Sequence, residues 1–263
     1  MDVKTIKLGT REVEFPSDKL QPLEACNHLL GDRDALWKEL NEKGYLLIRG
    51  MHNREDVLKA RLEVLKTIKK LGPEKLDNSR PWEDGVLDHR CDHGCIPSFQ
   101  GRNDITHSEA VSKILEGPRP FAFFKTLFGE TVRTFDYKWL RFDKLHSTYS
   151  QVDVEDINLN GSGWFTTDPF DITYQFGGQW KTTKYEAGDV LIFGMNTVHM
   201  STANLTDLVR ISCDTRWQPA SEPADPRYVG DFKPTAKFGL YASVGSKPRT
   251  VTMEELKAKW GFQ

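Results

Sequence analysis

The chain has 263 residues, 38% hydrophobic, 11% aromatic and 28% charged, a composition that supports a packed core and excludes a chain dominated by disorder. A net charge of −2 and a pI near 6.4 give no electrostatic case for nucleic acid, and the basic stretch 66–70 is broken by apolar residues as on a solvated helix face. There is no apolar run of the ~20 residues a bilayer crossing needs, no hydrophobic segment after Met1 and no Ser-Lys-Leu address at Gln263, so an intracellular, cytoplasmic protein without membrane partners is expected.

Four cysteines, Cys26, Cys91, Cys95 and Cys213, are too few and too scattered for a disulfide scaffold. In chain order, a helix is expected over 34–43, presenting Leu36, Trp37 and Leu40 and stopping at Gly44, followed at once by the apolar strand 45–48. Asn53 can cap a second helix with Leu58, Leu62, Leu65 and Ile68 on one face, ended by Gly72-Pro73. Residues 77–103 read as loop. Thr106-His107-Ser108-Glu109 then forms a capping-box pattern ahead of a third helix, and a short fourth lies around 121–127. Beyond Gly129 the character turns to strands, at 132–141, 180–183, 189–193, 197–202 and 208–217. A short helix is expected near 253–259. This order, helices and then an antiparallel β unit, indicates an α+β chain. It is expected to form a single domain over 1–263, mainly helical through 1–130, with a β core over 131–220 and a loop-rich extension over 221–263.

Polar residues that could carry chemistry gather near the end of the β core. Strand alternation places His199 and Ser201 on one face of 197–202, and Arg210, Ser212, Asp214 and Arg216 on one face of 208–217. With a turn between Asn204 and Asp207, Ser201 and Arg210 would lie opposite each other across a hairpin. A neutral imidazole there can ligate a metal, and a guanidinium beside a hydroxyl can hold a carboxylate. A half-buried hairpin whose polar groups satisfy one another would show the same pattern.

Three stretches resemble the phytanoyl-CoA dioxygenase-like family of iron(II)/2-oxoglutarate oxygenases. They are Phe135-Asp136-Tyr137-Lys138-Trp139-Leu140-Arg141, the run Ala187-Gly188-Asp189-Val190-Leu191-Ile192-Phe193-Gly194-Met195 leading to His199, and Arg210-Ile211-Ser212-Cys213-Asp214-Thr215-Arg216-Trp217-Gln218-Pro219-Ala220-Ser221-Glu222-Pro223. The resemblance spans about 45–230. It implies a double-stranded β-helix (jelly-roll) core with an N-terminal helical layer, His199 as the distal iron(II) ligand, and Arg210 with Ser201 on the far carboxylate of 2-oxoglutarate. The reaction it implies is hydroxylation of a small or lipid-like substrate, at an iron held by a facial set of two histidines and one carboxylate.

The sequence departs from that pattern at one place. The family's His-x-Asp pair belongs on an early barrel strand, yet Arg141 runs directly into Phe142-Asp143-Lys144-Leu145-His146, which resembles an insert from several strands later. The implied core is therefore incomplete and the iron set lacks two ligands. His146 is the first substitute to consider, alone or with Asp143, Asp153 or Glu155. His107-x-Glu109 fits the spacing but opens a helix, and the crowded run from His89 through Cys91, Asp92 and His93 to Cys95 departs from the paired spacing of structural zinc sites. Three functions follow: an iron(II)/2-oxoglutarate oxygenase using a substitute ligand, a catalytically inactive binding or regulatory module, or a shortened isoform of an active enzyme. None requires coenzyme A, and no oligomeric state is specified.

Overall fold

Elements form in the order β1 (Lys4–Leu8), β2 (Arg11–Phe15), β3 (Leu20–Pro22), α1 (Arg33–Lys43), β4 (Tyr45–Ile48), α2 (Arg54–Leu71), α3 (Asn103–Thr106), α4 (Glu109–Leu115) and α5 (Pro118–Phe128). There follow β5 (Val132–Thr134), β6 (Trp139–Asp143), α6 (Phe170–Phe176), β7 (Trp180–Thr182), β8 (Val190–Phe193), β9 (Arg210–Asp214) and β10 (Trp217–Pro219). This computed structural model describes residues 4–9, 11–89, 103–136, 138–143, 166, 168–194, 196–200, 202, 204, 206–224, 229–230, 255, 258 and 261. They group into two compact units, Leu23–Leu145 with Thr183–Ala224, and Met1–Pro22 with His146–Thr182 and Asp225–Gln263. None of the described helices is long and apolar enough to cross a membrane.

In the unit that begins at Leu23, local signals set the helix ends. Asp32 accepts the Ala35 N–H at 3.0 Å to start α1. Gly44, at φ 78°, ends it by donating its N–H to Leu40 O, and the chain turns straight into β4, all four residues of which are buried. Asn53 caps α2 by accepting from the N–H groups of Glu55 (2.9 Å) and Asp56 (3.2 Å). Asn53→Ala should therefore destabilise the chain by about 1 kcal/mol in urea unfolding, whereas Ser108→Ala should not. Ser108 is the N-cap residue of α4 but its side chain makes no capping bond, and its Oγ is buried without a partner.

Two helix expectations need correction. The face α2 buries is Ala60, Val64, Leu65 and Ile68, and Leu62 is 39% exposed, because the helix packs against α4 along the Ala60–Val64 side. The capping-box register at Thr106 is also wrong: Thr106 closes α3, and the next helix starts from Ser108.

Strand pairing differs from expectation more than strand existence does. The expected single strand 132–141 divides into β5 and β6, which take different partners: β5 pairs antiparallel with β10, and β6 with β9. β4 pairs antiparallel with β8 from Tyr45↔Phe193 to Ile48↔Val190. The described residues of 197–202 form no strand; Thr197 N–H closes a turn onto Gly194 O, and its hydroxyl donates to Gly44 O. Alternating residues alone do not make a strand without a partner edge, and β9 runs against β6 while residues just before it bond elsewhere. Val209 N–H donates to Gly85 O, and Leu87 N–H to Asp207 O. Arg141 and Phe142, the junction at which the family pattern breaks, sit inside β6 opposite Ser212 and Ile211, so the strand runs through it unbroken.

Two apolar clusters hold this unit together. One lies between α2, α4 and the β6–β9 ladder, with Val64, Leu65, Ile68, Val111, Leu140 and Val209 buried and Ile211 and Cys213 packed on them. The other joins α1, α5, β4 and β10 through Leu36, Leu46, Ile48, Phe124 and Leu127. Trp217 of β10 stacks on Phe124 at 4.5 Å and meets Phe121 edge-on at 4.8 Å.

In the other unit, β1 and β2 form an antiparallel hairpin, although the sequence carries no strand expectation before residue 45. β3 pairs parallel with β7. Arg11 Nε donates to Asp168 Oδ2 at 2.7 Å, and Lys19 lies over the rings of Phe170 and Tyr174. Glu255 and Ala258 are helical, within the stretch expected to be a helix. The architecture is thus mixed helix and strand, with small antiparallel sheets and one parallel pair.

Candidate functional site

β9 carries its two faces as its alternation predicts. Val209 is buried and Ile211 and Cys213 pack on the first cluster, while Arg210 and Asp214 are exposed. Burial pushes the Cys213 thiol up to about 12, with Asp214 adding to the effect and Lys138 opposing it, so this thiol is protonated and inert at neutral pH. Arg210 opens the strand opposite Asp143. Its charge reaches the Tyr185 phenol: burial pushes that phenol up, and Arg210 and then Arg49 pull it back.

His199 is exposed, and its ring rests 4.7 Å from that of Phe193 at the end of β8. Its Nδ1 lies 2.9 Å from Thr197 O. A carbonyl oxygen only accepts, so Nδ1 carries the proton and Nε2 presents its lone pair, the tautomer a metal-ligating histidine needs. β9 pairs with β6, and Ser201, expected opposite Arg210 across a hairpin, lies outside the described residues. So do His146, Asp153, Glu155 and Cys91 to Cys95. His107 is exposed beside Thr106, whose hydroxyl is 3.1 Å from its Nδ1.

The turn before β8 is built around Asp189. Gly50 N–H reaches Oδ1 at 3.0 Å, while Glu186 N–H (2.9 Å) and the Arg49 guanidinium reach Oδ2. Burial pushes this carboxyl up, but the Glu186 amide, Arg49 and the Gly50 amide outweigh it and hold it below the usual carboxylate range. Arg49 also donates to Thr183 Oγ1 and Lys184 O. Next to this turn His52 donates its backbone N–H to Gly188 O, and burial, reinforced by Arg119, lowers its imidazole to about 4.

That shift has a consequence for acid stability. The unfolded imidazole titrates near 6.5 and the folded one near 4, so the unfolded state takes up the proton first and stability falls as pH drops below 6.5. By pH 5 the expected loss is about 2 kcal/mol. It should be missing from His52→Gln when urea unfolding is compared at pH 7 and pH 5.

Among the described residues no group of three His, Cys, Asp or Glu side chains converges. His199, His107 and Glu109, expected candidates with described side chains, belong to no such group, and an incomplete set does not fit a facial iron site. No protein-family model matches the chain, and no curated protein matches it either. The residues that sequence reasoning passed over are Tyr185, Arg49 and His52. The Gly188-Asp189 dipeptide was the available signal for the turn, whereas nothing in the spacing linked Tyr185 to Arg210.

Proposed function

We propose that the chain is a phytanoyl-CoA dioxygenase-like member of the iron(II)/2-oxoglutarate oxygenases that keeps the seat for the cosubstrate's far carboxylate. In the absence of a His-x-Asp pair, it acts as a 2-oxoacid-binding module. The observation that carries this reading is Arg210, exposed at the head of β9 inside the sequence stretch that resembles the family most. A guanidinium recognises a carboxylate by paired charge-assisted hydrogen bonds. His199 offers Nε2 as one ligand.

Thermal melting with 2-oxoglutarate tests the seat. At a hundredfold excess over Kd the melting temperature should rise by roughly 5 °C or more, and Arg210→Met should abolish the rise. An unchanged melting temperature in the wild type removes the seat. Iron(II) or manganese(II) titration with a 2-oxoglutarate decarboxylation assay separates the readings: binding without turnover is the expected result. Tight metal binding with decarboxylation would make the chain a working oxygenase, and His146 would then be the first ligand to substitute.

A further inference from the structure

Arg210 stands at the end of a ladder, its pairing with Asp143 being the terminal register of β6 and β9, and strand ends fray unless something holds them. The stretch 85–87 holds this one. Gly85 O accepts the Val209 N–H at 2.8 Å and Asp207 O accepts the Leu87 N–H at 2.7 Å, around an antiparallel bridge between Val86 and Leu208. Successive side chains of a strand face opposite ways, so fixing Val209 inward fixes Arg210 outward. Val209 is buried and Arg210 exposed.

The stretch is in turn braced on α2. Arg61 reaches out with both arms of its guanidinium, Nη1 donating to Glu83 O and Nη2 to Asp84 O, each at 2.8 Å. These carbonyls close the one-turn 3-10 helix Trp82–Asp84, and carbonyls at a helix end favour a cation. Gly85 follows at φ 65°, and a Cβ there would run into Arg61 Nη2, so the glycine both makes the turn and lets the guanidinium lie against it. Further along α2, Lys69 lies over the Trp82 ring.

We propose that Arg61 is a positioning residue of the carboxylate seat: it holds 85–87, which hold the head of β9 and with it the direction of the Arg210 side chain. The inference rests on the reading of Arg210 as that seat. A rigid support preorganises the guanidinium, so binding is spared the cost of ordering it. Lysine cannot do the same, because an ammonium carries the charge without the two-armed reach to successive carbonyls. By reciprocity, a brace that raises affinity for the ligand is itself ordered by the ligand.

The experiment measures 2-oxoglutarate binding to the full chain by calorimetry, at a temperature where each variant is folded, together with amide hydrogen exchange. Arg61→Met should weaken binding about fivefold or more, and Arg61→Lys should recover little of it. Asp32→Ala, which removes the cap of α1, should leave the affinity unchanged although it also destabilises the chain. In the wild type, 2-oxoglutarate should slow exchange at the Val209 and Leu87 amides, and Arg61→Met should speed it without ligand. Binding that is lost in Arg210→Met but unchanged in Arg61→Met overturns the inference and leaves the seat standing, whereas absence of wild-type binding removes both. Full recovery in Arg61→Lys, or a loss in Asp32→Ala as large as that in Arg61→Met, also overturns it. Should Arg61→Met fail to fold, the wild-type exchange decides: unchanged protection of the two amides on adding ligand overturns the proposal.

Discussion

Glu116→Ala should destabilise the chain by about 3 kcal/mol or more, whereas Lys138→Met should leave it within about 1 kcal/mol of wild type or make it more stable. Lys138 is among the most buried side chains, with 1% of its surface accessible. Its ammonium lies 2.7 Å from Glu116 Oε1, at the end of α4, and donates to Phe135 O at 2.9 Å. Strand parity explains why it is inside: Lys138 shares a face with Leu140, and Leu140 pairs with Cys213 on the core side of the β6–β9 ladder. Removing the carboxylate strands a charge in an apolar layer with, among the described residues, one carbonyl partner, and that desolvation penalty sets the size of the effect. Glu116 is 32% exposed in its side chain, so water recovers part of the penalty, which places the value near the low end of the range for buried pairs. Methionine instead fills the lysine's volume with no charge to satisfy. Urea unfolding of the two single variants and the double variant measures the coupling. A mild Glu116→Ala alongside a severe Lys138→Met would show that the ammonium acts through the Phe135 carbonyl and not through the ion pair.

What the sequence made legible divides along physical lines. Helix ends are local: Asn53, Gly44 and Gly72 act on backbone groups within a turn of themselves, so α1 and α2 are readable to within a residue or so. Strand partners are not local. The alternation at 197–202 and 208–217 is real, and in β9 it sorts Val209 from Arg210 correctly, yet nothing in either stretch says that β9 pairs with β6. A pairing between neighbouring stretches is the simplest to expect, whereas β6, about 70 residues earlier, holds one edge of β9.

The candidate site was legible in residue type more than in geometry. Arg210 on a polar strand face follows from alternation alone, and the Nε2 tautomer of His199 follows only from the turn that puts Thr197 O against Nδ1. Tyr185 could not be foreseen because its link to Arg210 is made through space between the approach to β8 and the start of β9. Lys138 was readable by parity, from Leu140. The default that places lysine at the surface hid it.

Gly188→Ala should cost about 3–5 kcal/mol, the sum of backbone strain, a displaced neighbour and a lost hydrogen bond. Gly188 has φ +106°, and a Cβ built there would lie 2.5 Å from His52 O. That oxygen is backbone, not the end of a mobile side chain, and His52 is already tied to this turn through its N–H to Gly188 O at 3.0 Å. Relief must therefore move one strand end of the β4–β8 ladder away from the other, two residues beyond Gly50, whose amide holds Asp189. Loosening Asp189 frees Arg49, and with it one of the two guanidiniums acting on Tyr185 beside Arg210. Urea unfolding reads the stability loss, with Gly194→Ala as the control. Gly194 lies at the far end of the same strand, has no positive φ and would place its Cβ against nothing within 4 Å, so that variant should stay within about 1 kcal/mol of wild type. Equal effects from the two glycines would mean that the turn yields freely and that the close approach of His52 to Gly188 does not hold Asp189 in place.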